Sequence, residues 1–319
     1  MIKVAVHIVT YNNESTIESC LRSVLDQGVD VELCIIDNAS TDNTVEIIKN
    51  AGLDVIVNSE NRGYSAAHNQ AIVQTTAPYI LTLNPDVLLT GDFIAAMAQT
   101  LDKNQRIGSA SGCLLRVDSL GDNPSVIDSA GLLIRRNRRQ GLRAENMPAN
   151  NRHQLPSSIF GPDGAAAFYR RVMLQDIAVM GEVFDQDFFM HKEDIDICWR
   201  ALLRGWQSTY VPDAIAHHIR TFRPGQRASV GSSLRFYGVR NRYLLMMKNE
   251  IPALFWRDLW AIAIYDIGLL IYMVLFERTS LRALSSGWSL RKKMLSKRRI
   301  IQTRRKISTS DMRPWLCGD

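Results

Sequence analysis

At 319 residues the chain can bury one large core, or one core with an appendage, and its apolar and charged fractions of 46% and 22% exclude wholesale disorder. The net charge of +6 is local: eleven of the 38 Lys/Arg fall in residues 278–306, where no Asp or Glu occurs, leaving 27 basic against 32 acidic residues elsewhere. That excludes a general nucleic-acid surface and points to a localised anionic partner for the C-terminal tail.

Five scattered cysteines, Cys20, Cys34, Cys113, Cys198 and Cys317, form no C-x-x-C, so neither a zinc site nor a disulfide framework is expected and a reducing compartment fits. The first nine residues are too short an apolar run for a signal peptide and read as a first buried strand. Strand and helix then alternate: strand 3–9, helix 15–25 with Ile17, Leu21, Val24 and Leu25 on one face, strand 31–36, and a helix through Val45, Ile47 and Ile48 with Ser40 as its N-cap. Strand 53–57, helix 64–74, strand 79–83 and helix 92–101 follow. This rhythm predicts an α/β fold, a mostly parallel, Rossmann-like sheet with helices on both faces.

The strand-to-helix connections carry the polar residues. They are Thr10-Tyr11-Asn12-Asn13-Glu14, then Asp37-Asn38-Ala39-Ser40-Thr41-Asp42, then Asn61-Arg62-Gly63, then Asn84-Pro85-Asp86. Consecutive carboxyl edges of one sheet should converge on one crevice. No G-x-G-x-x-G follows the first strand and there is no Walker A motif, so a ligand there is held by side chains and a cation. Pro85 ends its strand and presents Asp86 at the edge.

Residues 116–160 lack a clean period and read as an excursion with a short hairpin and a solvated basic cluster, Arg135-Arg136-Asn137-Arg138-Arg139. Residues 164–169 look like a returning strand and 171–179 like a helix. Ile195, Trp199 and Leu202 then mark the buried face of a helix that opens with Glu193 and Asp194 and ends at Gly205. Its dipole should keep Asp194 ionised. Residues 208–211 read as an edge strand, turned by Pro212 before His217-His218.

In this order, Thr10-Tyr11-Asn12, Asp37 to Asp42, Asn61-Arg62-Gly63-Tyr64, Asn84-Pro85-Asp86, Glu193-Asp194 and His217-His218 resemble the motifs of family 2 glycosyltransferases over roughly residues 1–220. Within that family the chain looks most similar to bacterial rhamnosyltransferases of surface-polysaccharide assembly. The resemblance implies a GT-A fold and an inverting, metal-dependent transfer from a nucleoside-diphosphate sugar, dTDP-L-rhamnose first and a UDP-hexose or UDP-N-acetylhexosamine as the alternative. The acceptor would be a glycan or lipid-linked glycan. It implies Asp194 as the base, with Glu193 facing water or positioning the loop, and Asp86 with His218, in preference to His217, as ligands of Mg²⁺ or Mn²⁺. Asp37 would meet the nucleobase; Thr10, Tyr11, Asn12, Asn38, Asn61, Arg62, Gly63 and Asn84 would line the donor pocket. Asn84 departs from the family's D-x-D pattern, so the cation is expected to arrive with the donor. A sugar nucleotidyltransferase is the rival enzyme class, but it needs a glycine-rich loop after the first strand and residues 10–14 contain no glycine. A non-catalytic scaffold is the other rival.

These features place a catalytic domain at 1–222 and a helical, basic extension at 223–319. In the extension, residues 237–248 and 256–276 are helical and very apolar. Asp266 interrupts the second, and no uncharged run reaches the roughly twenty residues of a spanning helix. It is expected to lie in the membrane interface, with the basic tail as an anchor to anionic lipid on the cytoplasmic side. A single spanning helix or a hairpin packed on the catalytic domain are the alternatives.

Overall fold

The computed structural model describes residues 3–119, 122, 124–219 and 231–317. Strands β1 (Lys3–Thr10), β2 (Asp30–Asp37), β3 (Ile56–Val57) and β4 (Tyr79–Leu83) are parallel and alternate with helices α1 (Ile17–Leu25), α2 (Thr44–Asn50) and α3 (Tyr64–Gln74). Every residue of β4 is buried, as an apolar run at the centre of a sheet requires. The chain steps outward from β1 to β2 and β3, then crosses back to β4 on the other side of β1. That reversal opens a crevice at the carboxyl ends of β1 and β4.

The second half comprises β5 (Val87–Leu89), α4 (Phe93–Lys103), β6 (Ile107–Val117), β7 (Ile127–Ser129), β8 (Leu132–Ile134), β9 (Gln140–Leu142) and β10 (Ser158–Ile159). After them come β11 (Ala166–Arg170), α5 (Arg171–Ile177), α6 (Glu193–Leu203) and β12 (Gln207–Ile219). The main sheet runs β10-β12-β6-β11-β4-β1-β2-β3, and β11 is antiparallel to both its neighbours, so this half is mixed rather than parallel. Helices α1, α2 and α4 cover one face, and α3, α5 and α6 the other. All five cysteines are free, four of them buried.

Four sequence expectations are corrected. Strand β6 has no counterpart in them, because its run of Gly108, Ser109, Ala110, Ser111 and Gly112 carries no strand signature. The small residues are there for close packing: a Cβ on Gly112 would lie 2.5 Å from both the Phe93 ring and the Ala214 carbonyl. Residues 208–211 are not an edge strand turned by Pro212, since β12 continues through a bulge between Val211 and Ile215 and is paired on both sides. Ser40 does not cap α2, whose N-cap is Asn43; the Ser40 hydroxyl instead donates to Asp37. Nor is the cluster 135–139 all solvated. Arg138 is buried, donating to Glu250 at 2.6 Å and to Asp258 at 2.9 Å.

Helices α7 (Ser232–Asn249), α8 (Pro252–Phe276), α9 (Arg282–Ser289) and α10 (Arg291–Thr303) form the extension. The expected boundary at 222/223 lies outside the described residues. On either side of it the two segments share one core: Phe160, Phe188, Ile195 and Trp199 pack with Leu244, Leu245, Leu254, Met294 and Ile301. Buried charge reinforces the seam. Lys248 of α7 donates to Asp185 and Asp196, and Lys297 of α10 to Asp185 and Asp187, at 2.5–2.8 Å. Buried ions of this kind hold only when fully paired, as these are. The basic tail is therefore partly structural, with Lys293 and Lys297 committed to the catalytic half.

Candidate active site

The loops at the β-strand carboxyl ends are stitched to one another. Thr10 donates its hydroxyl to Asp37 at 2.8 Å, and Asp37, fully buried, also accepts from the Ser40 amide and hydroxyl. Asn12, at a φ of 57°, donates its amide to Ser40 and accepts from the Thr41 amide. Asn38 donates to the Gly63 carbonyl and accepts from Asn58; Asn61 accepts from the Gly63 amide. Gly63 itself has a φ of 83° and packs against Phe189, where a Cβ would lie 2.6 Å from the ring. Tyr11 is half exposed at the rim. Arg62 is exposed and lines a depression with Ala66, Asn69 and Gln186.

Asp86 follows β4, and its carbonyl accepts from the Ile219 amide at the end of β12. Pairing of β5 with β12 sets His218 opposite Val87, and the His218 Nε2 lies 3.7 Å from Asp86 Oδ1. Because side chains alternate along a strand, His217 points the other way, into a groove lined by Ser19 and Arg22. The His218 Nδ1 donates to Asp128 Oδ2 at 2.8 Å. Burial alone would lower the imidazole's proton affinity, but the hydrogen bond to Asp128 and the charge of Asp86 outweigh it and raise the pKa to about 9. Two carboxylates about one ring favour a positive charge between them, a proton or a divalent cation. Asp128, in β7, went unseen in sequence, since one Asp in an aperiodic stretch gives no signal.

A divalent cation fits this pair. Asp86 Oδ1 is buried and accepts no hydrogen bond, and a hydrogen-bonded imidazole with its far nitrogen facing that oxygen is a common ligand arrangement. Among the described residues no cluster of three or more His, Cys, Asp or Glu forms a cage, so oxygens from a bound ligand and water would complete the coordination. Asn84, with its amide bound to the Ala165 carbonyl, adds no charge.

From Ala165 the path leads straight to Asp194. Asp194 Oδ2 accepts from the Gly164 amide at 3.4 Å and Oδ1 from its neighbour Ile195 at 2.7 Å. Asp194 stands in the first turn of α6, yet the dipole does not decide its charge. Burial raises its proton affinity, and the nearby Asp163 raises it further. Glu193 is buried, not facing water as expected, and burial and Asp194 push its carboxyl up as well. Asp163 was also missed in sequence; it is buried, with Oδ2 unpartnered.

Ahead of Asp194 the backbone is strained. Phe189, His191 and Lys192 all have φ between 63° and 76°, a costly state for non-glycine residues that neighbouring structure must hold. The clamp is Asn241 of α7, fully buried, whose amide nitrogen donates to the carbonyls of Phe188, Met190 and His191 at 2.7–2.9 Å. Asn241→Ala is accordingly expected to lower kcat by about tenfold or more with little change in KM, since one lost clamp misplaces Asp194 without touching the loops after β1 and β2. Steady-state kinetics check this; unchanged kcat would show that the turn holds itself.

The sheet is covered by helices on both faces, with an Asp86–His218 pair and a buried carboxylate of raised proton affinity, Asp194, on loops and strand ends of its second half. The family model "Glycosyl transferase family 2" matches residues 5–178, and the chain belongs to that family. Poly-beta-1,6-N-acetyl-D-glucosamine synthases of Staphylococcus epidermidis and Staphylococcus aureus are each 27% identical over 212 residues, covering 64% of this chain and 47% of theirs. The chain thus spans about half the length of these curated relatives. Among solved structures, S. aureus TarS (residues 1–349) aligns with a TM-score of 0.56 at 16% identity, over 95% of this chain and 90% of that one. The Pyrobaculum calidifontis mannosyltransferase PcManGT, solved with GDP-Man and Mn²⁺, aligns at 0.54 and 17% identity over 94% and 85%. GalNAc-T7 with UDP, GalNAc and Mn²⁺ aligns at 0.59 and 15% over 78% and 48%. The fold is GT-A with a helical C-terminal region.

Proposed function

We propose that the protein transfers a sugar, with inversion, from a nucleoside-diphosphate donor to a hydroxyl of a glycan or lipid-linked glycan. The observation that carries this reading is the placement of Asp194. A buried carboxylate of raised proton affinity is joined through Gly164–Ala165 to the strand end that bears Asp86. Its two oxygens are oriented by backbone amides, which leaves lone pairs to take the proton from the acceptor hydroxyl as it attacks. Asp86 and His218 would hold Mg²⁺ or Mn²⁺, which, when bound, stabilises the charge of the leaving diphosphate. Asp128 fixes the imidazole, and the Thr10–Asp37–Ser40 link fixes the loop on which the nucleobase would rest.

N-acetylhexosamine from a UDP donor is the sugar this reading takes, because the curated relatives are named for a poly-N-acetylglucosamine product. The dTDP-L-rhamnose expectation has no such support. Protection against thermal unfolding by a panel of sugar nucleotides with Mn²⁺ tests the choice: UDP-N-acetylhexosamines should raise Tm most. A larger shift with dTDP-L-rhamnose would reverse it.

We also read the protein as seated on the cytoplasmic face of a membrane. By length and composition α8 is apolar enough to cross a bilayer, and most of it is uncovered. Its acidic residues face inward, Asp258 to Arg138 and Asp266 to Arg242 at 2.9 Å, while Trp256, Trp260, Ile264, Ile267 and Phe276 face outward. A helix held to the protein by its charges and apolar on its free side suits the membrane interface, with exposed Lys292 and Arg299 of α10 near anionic headgroups.

A further inference from the structure

Between the turn joining β8 to β9 and the outward side of α8 lies a cavity of about 540 Å³, lined by Arg135, Arg136, Asn137, Trp260, Ile264 and Tyr265. Its polar wall is rich in cations. Arg135 and Arg136 are exposed at the tip of the turn. Behind them Arg242 is 4% exposed, stacked over the Tyr265 ring at 4.6 Å, with Nη2 donating to the Asn137 carbonyl at 2.6 Å. Its Nε donates to Asp266, but its Nη1 is buried and makes no hydrogen bond. A buried guanidinium nitrogen without an acceptor is costly, and here it lies between two residues that line the cavity. Of the carboxylates nearby, Asp266 is taken by Arg242, and Asp258 is shared by Arg136, Arg138 and Arg257. The wall therefore has donors and positive charge to spare, in the geometry that suits phosphate oxygens.

The opposite wall, Trp260 and Ile264, belongs to the apolar face of α8, and both side chains are more than half exposed. An anion settling here meets cations on one side and a hydrocarbon surface on the other. The same hairpin also reaches the active site: Gln140, at the start of β9, accepts from Lys192, the residue before Glu193 and Asp194. Arg242 and Arg139 together depress the proton affinity of Lys192, with burial as the larger cause, so the cations of this hairpin and of the base's own turn form one field.

We propose that this cavity holds the phosphate or diphosphate headgroup of a lipid-linked acceptor, with Arg135 and Arg136 binding its oxygens, Arg242 adding its charge from behind the wall, and the lipid chain lying along Trp260 and Ile264. This deepens the transferase reading and rests on it for the word acceptor; the headgroup site itself stands on the cavity. The hairpin then serves as the common wall between the lipid's anchor point and the base, and the acceptor sugar extends from one to the other.

The test uses the full-length chain and farnesyl diphosphate as probe, with farnesol and inorganic pyrophosphate as controls, titrated calorimetrically. Farnesyl diphosphate should bind, farnesol should not, and the double variant Arg135→Gln/Arg136→Gln should weaken binding by about tenfold or more through loss of two charge-assisted contacts. Protection by UDP-N-acetylglucosamine should be the same in wild type and double variant, which shows that the variant is folded and its donor crevice intact. Equal affinity in the double variant overturns the proposal, and so does binding of inorganic pyrophosphate as tight as that of farnesyl diphosphate. If no sugar nucleotide binds while farnesyl diphosphate binds through the two arginines, the transferase reading fails and the headgroup site stands.

Discussion

Asp194→Asn is expected to lower transfer by about 10³-fold or more while leaving donor affinity within about twofold. The amide cannot take a proton from the acceptor, yet it has the size of the carboxylate and keeps an oxygen for the Ile195 amide. The stability of the variant separates this from misfolding. Asp194 is raised above the usual aspartate value by burial and then by Asp163, with Glu193 and Tyr64 also close to its charge. A carboxyl that binds its proton more tightly in the folded state costs stability once the pH has risen through that raised value. The neutral variant should therefore melt higher than wild type at neutral pH, and the gap should close as the pH falls towards the ordinary aspartate range. By the same sign, wild-type turnover should fall on the acid side at a pH well above that range, because the base must be ionised to act. A variant with normal turnover would remove Asp194 from the chemistry.

The second large effect belongs to Asp86. Asp86→Ala should lower activity by about 10²-fold or more and raise the Mn²⁺ concentration needed for half-maximal rate, since Asp86 is the carboxylate that faces the outer nitrogen of His218, where the cation would be held. Asp128→Asn should shift the same Mn²⁺ requirement by roughly tenfold, because Asp128 bonds the inner nitrogen of His218 and would act on the cation through the ring. If the two variants need no more Mn²⁺ than wild type, Asp86 and His218 do not hold the cation.

The donor half of the fold was legible because its signals are local. Runs such as 79–83 end in Asn-Pro-Asp, and each polar connection follows its strand directly, so four loops could be assigned to one crevice before their contacts were known. His218 faces Asp86 at 3.7 Å, and Asp194 accepts from the Gly164 amide, next to the Ala165 carbonyl that accepts from Asn84. What stayed hidden depends on partners distant in sequence. Strand β6 is built of small residues whose reason is Phe93, Met173 and Ala214 packed against them. Asp128 matters only because β7 pairs beside the end of β6 and its carboxylate meets His218, 90 residues on. The burial of Glu193, the clamp by Asn241 and the anchoring of Lys297 share one cause: the extension packs onto the catalytic half instead of trailing from it. A charge count reads a basic tail, and only the fold tells which of its cations are already taken.

The central claim, a cation-dependent transferase acting on a nucleoside-diphosphate sugar, is tested most directly by release of the nucleoside diphosphate from the sugar nucleotide that protects best, the sugar passing to an acceptor hydroxyl or to water. The full-length chain in vesicles of anionic lipid is assayed with Mn²⁺, then with chelator, then with Mn²⁺ restored. Release that stops in chelator and returns with Mn²⁺ or Mg²⁺ is the predicted result. Release at full rate in chelator, or none from any donor with the cation present, would contradict it.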